Sequence, residues 1–228
     1  MSTWSRYQRL VARGARVERL VAYADAVFAI AMTLLIVELH APEVPVERLP
    51  DALRELVPGY LSFVLSFAVI GLVWLSHHRK MSVIVGFDQN LLRLNLLMLL
   101  FVASLPLPSA VLGRYGDAVP AVYLYAATIA AIGFSMSGIW MYAWHRRLVS
   151  DDVDVALFRL VLVQSFPIPG FFLLSIPIAA LWGAGAAELT WIAALPASFV
   201  ITRVYRSRSD RVGYPTALSA PDVHQENR

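Results

Sequence analysis

At 228 residues, with 58% hydrophobic and only 15% charged side chains, the chain is too apolar for a water-soluble domain of its length. It reads as a protein whose main solvent is lipid. The absence of cysteine excludes disulfides, thiolate metal sites and cysteine nucleophiles, and the formal charge of +3, carried by eighteen Arg and one Lys, gives no footing for a nucleic-acid partner.

Residues 1–19 place Trp4, Tyr7, Leu10, Val11 and Val17 on one helical face and Arg6, Arg9, Arg13 and Arg16 on the other. That pattern suits a basic amphipathic helix on an anionic leaflet, with a solvated basic tail as the competing reading. The charged stretch is too long for a cleaved signal, and the apolar span after it carries an Asp and reaches full spanning length. Apolar spans are expected at 20–39, 57–76, 91–112, 118–143, 157–181 and 187–204, each near the roughly 20 residues that cross a bilayer. Trp74, Trp140, Tyr142 and Trp144 read as interfacial belt anchors. In the fourth span Gly133, Ser135, Ser137 and Gly138 read as close-packing positions. Pro167, Pro169, Gly170 and Pro177 should interrupt or kink the fifth. Residues 207–228 are polar with scattered Pro and Gly and read as a flexible cytoplasmic tail.

The fold class is therefore an all-α membrane protein, with six transmembrane helices in one domain over 20–206. With the N-terminus cytoplasmic, sixteen Arg and Lys fall inside and only Arg48, Arg54 and Arg114 outside. The asymmetry requires an even number of spans with both termini cytoplasmic. No internal repeat is visible, which weakly disfavours a transporter built from pseudo-symmetric halves.

Asp25 is the outstanding polar group, because a carboxylate inside a spanning helix must be paired, hydrated or neutral. On a helical wheel it shares a face with Val21, Ala22, Phe28, Ala29 and Met32, while Ile30, Leu34 and Val37 form a stripe about 140° away. Lipid contact or core packing is the default explanation of such a stripe. Arg19, Asp25, His77, His78 and Asn95 all fall toward the cytoplasmic half of their spans, so a hydrogen-bonded structural or gating cluster among helices one to three is expected. Zinc binding by His77 and His78 is disfavoured, since adjacent helical side chains diverge by about 100° and no third ligand is evident.

Arg19, then Tyr23-Ala24-Asp25, then the apolar run Ala26 to Leu39, resembles the first-helix signature of the transmembrane protein 175 potassium channels. The hallmark of that family is an Arg ahead of a Phe-Ser-Asp triplet. Trp74-Leu75-Ser76-His77-His78 is similar to the family's Trp-x-x-His-His, and Asn95 with Pro106-Leu107-Pro108 to its third-helix Asn and Pro-Phe-Pro. The triplet here is Tyr-Ala-Asp, which keeps the aromatic and lacks the hydroxyl.

The resemblance implies a homotetramer of single six-helix units in a cell membrane, with the first helix lining a central pore. Ile30, Thr33, Leu34 and Val37 would then sit at or near the axis, and rings of Ile30, Leu34 and Val37 would form a constriction that gates by dewetting. A modest preference for potassium over sodium is expected, with Thr33 a weak ligand and Glu38 a cation-concentrating ring at the outer mouth. Arg19, Tyr23, Asp25, Trp74, His77, His78 and Asn95 are the expected structural or gating network. The rival reading is a proton channel or proton-coupled carrier relaying through Asp25, His77 and His78. An enzyme is disfavoured by the lack of His-Glu-x-x-His, Gly-x-Ser-x-Gly or a phosphate-binding Gly loop. No cofactor or metal is expected beyond permeant potassium.

Overall fold

The computed structural model describes residues 17–194 together with Val200 and Arg203. The first helix, α1 (Val17–Val37), buries Leu20, Ala24, Phe28, Ala31 and Leu35. Their spacing of three and four keeps them on one side of a 3.6-residue helix, so α1 is anchored along a single stripe. A 3-10 turn (Val46–Arg48) and the short α2 (Leu49–Glu55) lead into α3 (Val57–Met81). Proline near the start of both helices suits positions whose N–H has no intrahelical partner.

Asp88 caps α4 (Gln89–Ser104), its side chain accepting from Asn90 N at 3.1 Å and Leu91 N at 2.8 Å. The helix ends at Leu105, and α5 (Pro106–Tyr115) starts again at a residue that cannot donate a helical hydrogen bond. The long α6 (Val119–His145) follows. Then come α7 (Val155–Ser165), capped by Asp154 through Leu157 N, and α8 (Pro167–Trp182). The break between these two falls at Phe166–Pro167, whereas Pro177 is carried inside α8. Gly183 ends α8 at φ 87°, and residues 184–194 are helical again.

Five helical segments are long and apolar enough to cross a membrane: 17–37, 57–81, 89–115, 119–145 and 155–182. These match the first five expected spans, the third and fifth each counting as one span across its break. Of the expected sixth, 187–204, residues 187–194 are helical, while 195–199, 201, 202 and 204 lie outside the described residues, as do most of the basic N-terminal segment and all of the polar C-terminal tail.

The spans pack around α6, which contacts α4, α5, α7 and α8, while α1 lies against α3, α4 and α5. Gly133 permits the α6–α8 contact, since a Cβ there would come within 2.6 Å of the Pro169 ring. Ser137 is also buried, its Oγ donating to the Gly133 carbonyl of its own helix, whereas Gly138 faces open space within 4 Å. At the far end of α3, Gly59 and Gly113 let α3 and α5 approach closely. Beside them Ser62 Oγ donates to the Ser109 carbonyl at 2.7 Å. Ser66 bonds both the Ser109 hydroxyl and the Tyr125 phenol.

The spans alternate in direction. A strand-like bridge between Ile84 and Val149 ties the α3–α4 loop to the α6–α7 loop, and the groove beside them includes Val17, Met81 and Leu148. The same end carries Arg79, Arg93, Arg146 and Arg147, so it is the basic end. The opposite end gathers Glu38, Glu55 and Arg114.

Trp140, Tyr142 and Trp144, three of the expected belt anchors, also make tertiary contacts. Trp140 is 1% exposed and donates to the Phe158 carbonyl, Trp144 stacks on the Phe158 ring at 4.6 Å, and the Tyr142 hydroxyl donates to Asp88 at 2.7 Å. Trp140 and Tyr142 thus place their polar groups against protein, and Trp144 its ring face.

Candidate functional site

Helix α1 has two unlike sides. Opposite its buried stripe, Ile30, Leu34 and Val37 stand 58%, 44% and 62% exposed within one subunit. Thr33 lies among them, its hydroxyl donating to the Ile30 carbonyl at 2.9 Å. That bond commits the hydroxyl proton to the helix and leaves the Oγ1 lone pairs free to accept. Arg19, Tyr23 and Ala26 continue the same exposed side toward the basic end.

On the flank of α1, Asp25 is half-buried and accepts a 2.8 Å hydrogen bond at Oδ1 from the Trp74 indole. Trp74 in turn lies against the His78 ring, with centroids 5.7 Å apart. The neighbouring His77 turns into the core, fully buried, where its Nε2 pairs with Asn95 Oδ1 at 2.9 Å and its ring packs on Phe28 at 5.6 Å. His77 Nδ1 and Asn95 Nδ2 have no hydrogen-bond partner among the described residues. The two histidines therefore serve different surfaces, as the 100° helical step dictates. Among the described residues no group of three His, Asp or Glu is placed to hold a metal ion.

The structure thus joins Asp25, Trp74 and His78, and separately His77 and Asn95, across α1, α3 and α4. Arg19 and Tyr23 do not join them. Six residues separate Arg19 from Asp25 and two separate Tyr23 from it, which turns both side chains at least about 120° away. Both are exposed, and Tyr23 is 53% so. Ala24, where the resembling family carries Ser, is fully buried with no hydroxyl to add to the cluster. Glu38 follows the last residue of α1 and borders a groove of about 310 Å3 with Glu55 and Arg114.

Two polar assemblies were not read from the sequence. At the basic end Asp88 receives Tyr142 and two backbone N–H groups, with Arg146 Nε at 3.7 Å. Partial burial pushes its carboxyl up, but the bonds from Tyr142, Leu91 and Asn90 and the Arg146 charge outweigh that and hold it below the usual carboxylate range. The Asp-Gln-Asn-Leu run at the start of an apolar span was an available capping signal. The buried set of Ser62, Ser66, Ser109 and Tyr125 joins α3 to α5 and α6, and no local pattern announces it.

The family described as "TMEM175: Endosomal/lysosomal potassium channel TMEM175" matches residues 19–106. The chain is 36% identical over 143 residues to "Potassium channel Cha6605_3372" of Chamaesiphon minutus, covering 60% of this chain and 70% of that protein. It is also 36% identical over 132 residues to "Potassium channel B446_29190" of Streptomyces collinus, covering 56% of this chain and 63% of that protein. The crystal structure of a lysosomal potassium-selective channel TMEM175 homolog from Chamaesiphon minutus superposes with a TM-score of 0.65 at 28% identity, over 85% of this chain and 98% of that one.

Proposed function

Because the chain belongs to the TMEM175 family, we infer that it is a cation channel subunit, modestly selective for potassium, that assembles as a homotetramer around α1. The observation that carries this reading is the uncovered apolar side of α1, with Ile30, Leu34 and Val37 exposed on a helix otherwise anchored by its opposite stripe. In the tetramer these residues and Thr33 face a shared axis. The apolar rings set a constriction that empties of water when narrow, and the lone pairs of Thr33 offer weak ligands to a partly dehydrated ion. Selectivity then rests on the cost of dehydration, because no cage of carbonyl oxygens is needed on an intact helix. Glu38 and Glu55 supply negative charge at the far end, which faces outward if the basic end is cytoplasmic.

Asp25, Trp74, His78 and the His77–Asn95 pair act in this reading as the frame that fixes the azimuth of α1. A proton relay through the same groups is the second reading. It is less favoured because His77 is enclosed and one Asp25 oxygen is held by an indole N–H, which offers no proton path onward. The test is purified protein in liposomes under an imposed potassium gradient, with flux and oligomer mass read together. Potassium flux from a tetramer is expected. A stable monomer with full flux overturns the assembly, and proton flux without potassium flux overturns the permeant ion.

A further inference from the structure

Resting on the reading that α1 lines the pore, we propose that Arg19 forms a cationic ring at the basic mouth of the channel, which suppresses cation access from that side and makes conduction rectify. The placement follows from helical arithmetic on an unbroken helix. Arg19, Tyr23, Ala26, Ile30, Thr33 and Val37 succeed one another at steps of four and three, and all are exposed. Arg19 is eleven residues from Ile30 and eighteen from Val37, which at 100° per residue leaves it within about 20° of Ile30 and at the azimuth of Val37. Whatever axis those two face, Arg19 faces it also, about 17 Å closer to the basic end than Ile30.

Among the described residues no carboxylate pairs with this charge, and Glu18, one helical step round, borders the groove on the flank of α1 with Asp25 and His78 instead. Four guanidinium groups around a narrow low-dielectric opening would create a positive potential that lowers the local cation concentration. At physiological salt this field decays over about 8 Å, so it acts on ions at the mouth and not on the Ile30 constriction. The ring therefore changes the rate at which ions arrive from the basic side, while the apolar rings retain control of which ions pass. The acidic groups at the far end have the opposite effect there, and the two together favour current from the acidic to the basic side.

The lack of any cysteine allows a direct test by charge replacement. Arg19→Cys and Ile30→Cys channels would be recorded in planar bilayers before and after membrane-impermeant methanethiosulfonates are added on the basic side. The reagents are one carrying trimethylammonium and one carrying sulfonate; the thiolate forms a mixed disulfide and methanesulfinate leaves. In Arg19→Cys the current leaving the basic side should rise about twofold or more at low ionic strength. The trimethylammonium reagent should restore the parental asymmetry and the sulfonate reagent should increase the current further. Sodium-to-potassium selectivity should stay unchanged, and all of these effects should shrink at 1 M salt. If modification alters Ile30→Cys but leaves Arg19→Cys indifferent to the sign of the charge, the ring is wrong and the pore reading stands. If neither position responds, the pore reading itself fails. Should Arg19→Cys not assemble, the parent channel decides: a current asymmetry independent of ionic strength overturns the ring.

Discussion

Trp74 Nε1 donates a 2.8 Å hydrogen bond to Asp25 Oδ1, joining a carboxylate of α1 to an indole of α3 across 49 residues of sequence. A carboxylate inside a spanning helix is costly unless it finds a donor, so this bond both lowers that cost and fixes how α1 is turned. The buried stripe of α1 leaves some freedom of rotation, because Ala24 and Ala31 are small. The directional bond removes it.

Trp74→Phe should consequently destabilise the assembly by about 1–3 kcal/mol, the range for a hydrogen bond to a charged group whose partner stays half-buried. Asp25→Asn, which can still accept from the indole, should cost less than Asp25→Ala. Thermal unfolding of detergent-solubilised oligomer would rank the three, while reversal potentials in any surviving current should match the parent. A selectivity change at normal expression would instead mark Asp25 as pore-lining.

Gly133 and Gly138 offer a controlled comparison on one helix. A Cβ at Gly133 would meet Pro169 atoms at 2.6 and 2.7 Å, and a rigid ring cannot yield, whereas Gly138 has no neighbour within 4 Å. Gly133→Ala should cost about 1–3 kcal/mol through overpacking. Gly138→Ala should be neutral or mildly stabilising, because Ala is the better helix former. Equal effects on the melting temperature would contradict the α6–α8 contact.

Asp88 predicts an acid-side loss of stability. Its carboxyl is held below the usual range, so the folded state binds the proton less readily than the unfolded chain. The contribution is complete above the unfolded value near pH 3.9, roughly, and disappears as pH falls through the lower folded value. Asp88→Asn, which weakens the Arg146 attraction yet keeps a capping acceptor, should flatten the acid limb of the stability profile. Asp88→Ala also loses the cap, at about 1 kcal/mol. An unchanged acid limb in both variants would show that the Tyr142–Asp88–Arg146 contact does not stabilise the fold.

Much of the fold was legible because hydropathy reports burial in lipid directly: the first five spans lie close to where the apolar runs put them. The interruption near Pro167 was legible for the same local reason, since proline cannot donate. The break at Leu105–Pro106 has the same chemical cause at Pro106, but the unbroken apolar run across it hides it from a hydropathy reading. Depth was easier to read than azimuth. Arg19 was grouped with Asp25 because both lie in the same half of the membrane, yet six residues turn them about 120° apart, and only one reaches Trp74. The aromatic residues near span ends were read as lipid anchors by composition. Trp140, Tyr142 and Trp144 also contact Phe158 and Asp88, which come from other elements and carry no local signature.

The sharpest consequence concerns Ile30 beside Ile36. Both are uncovered in the subunit, at 58% and 46%, so exposure alone does not say which one meets the ion path. Six residues of helix put them about 120° apart, and Ile36 falls on the Asp25 flank while Ile30 shares its side with Thr33 and Val37. β-Branching leaves Ile stiff at χ1, so a ring of Ile30 holds a constriction of defined width. Ile30→Asn would replace apolar surface with amide ligands, easing wetting of the narrowest point. Current should therefore rise and discrimination between potassium and sodium should weaken, while Ile36→Asn, facing lipid or a neighbouring helix, should change expression or assembly more than permeation. Conductance and reversal potentials of the two variants, recorded in the same membrane, check this. If Ile36 proves the sensitive position, the axis lies on the other side of α1, and the pore stripe must be redrawn through the residues that flank Asp25.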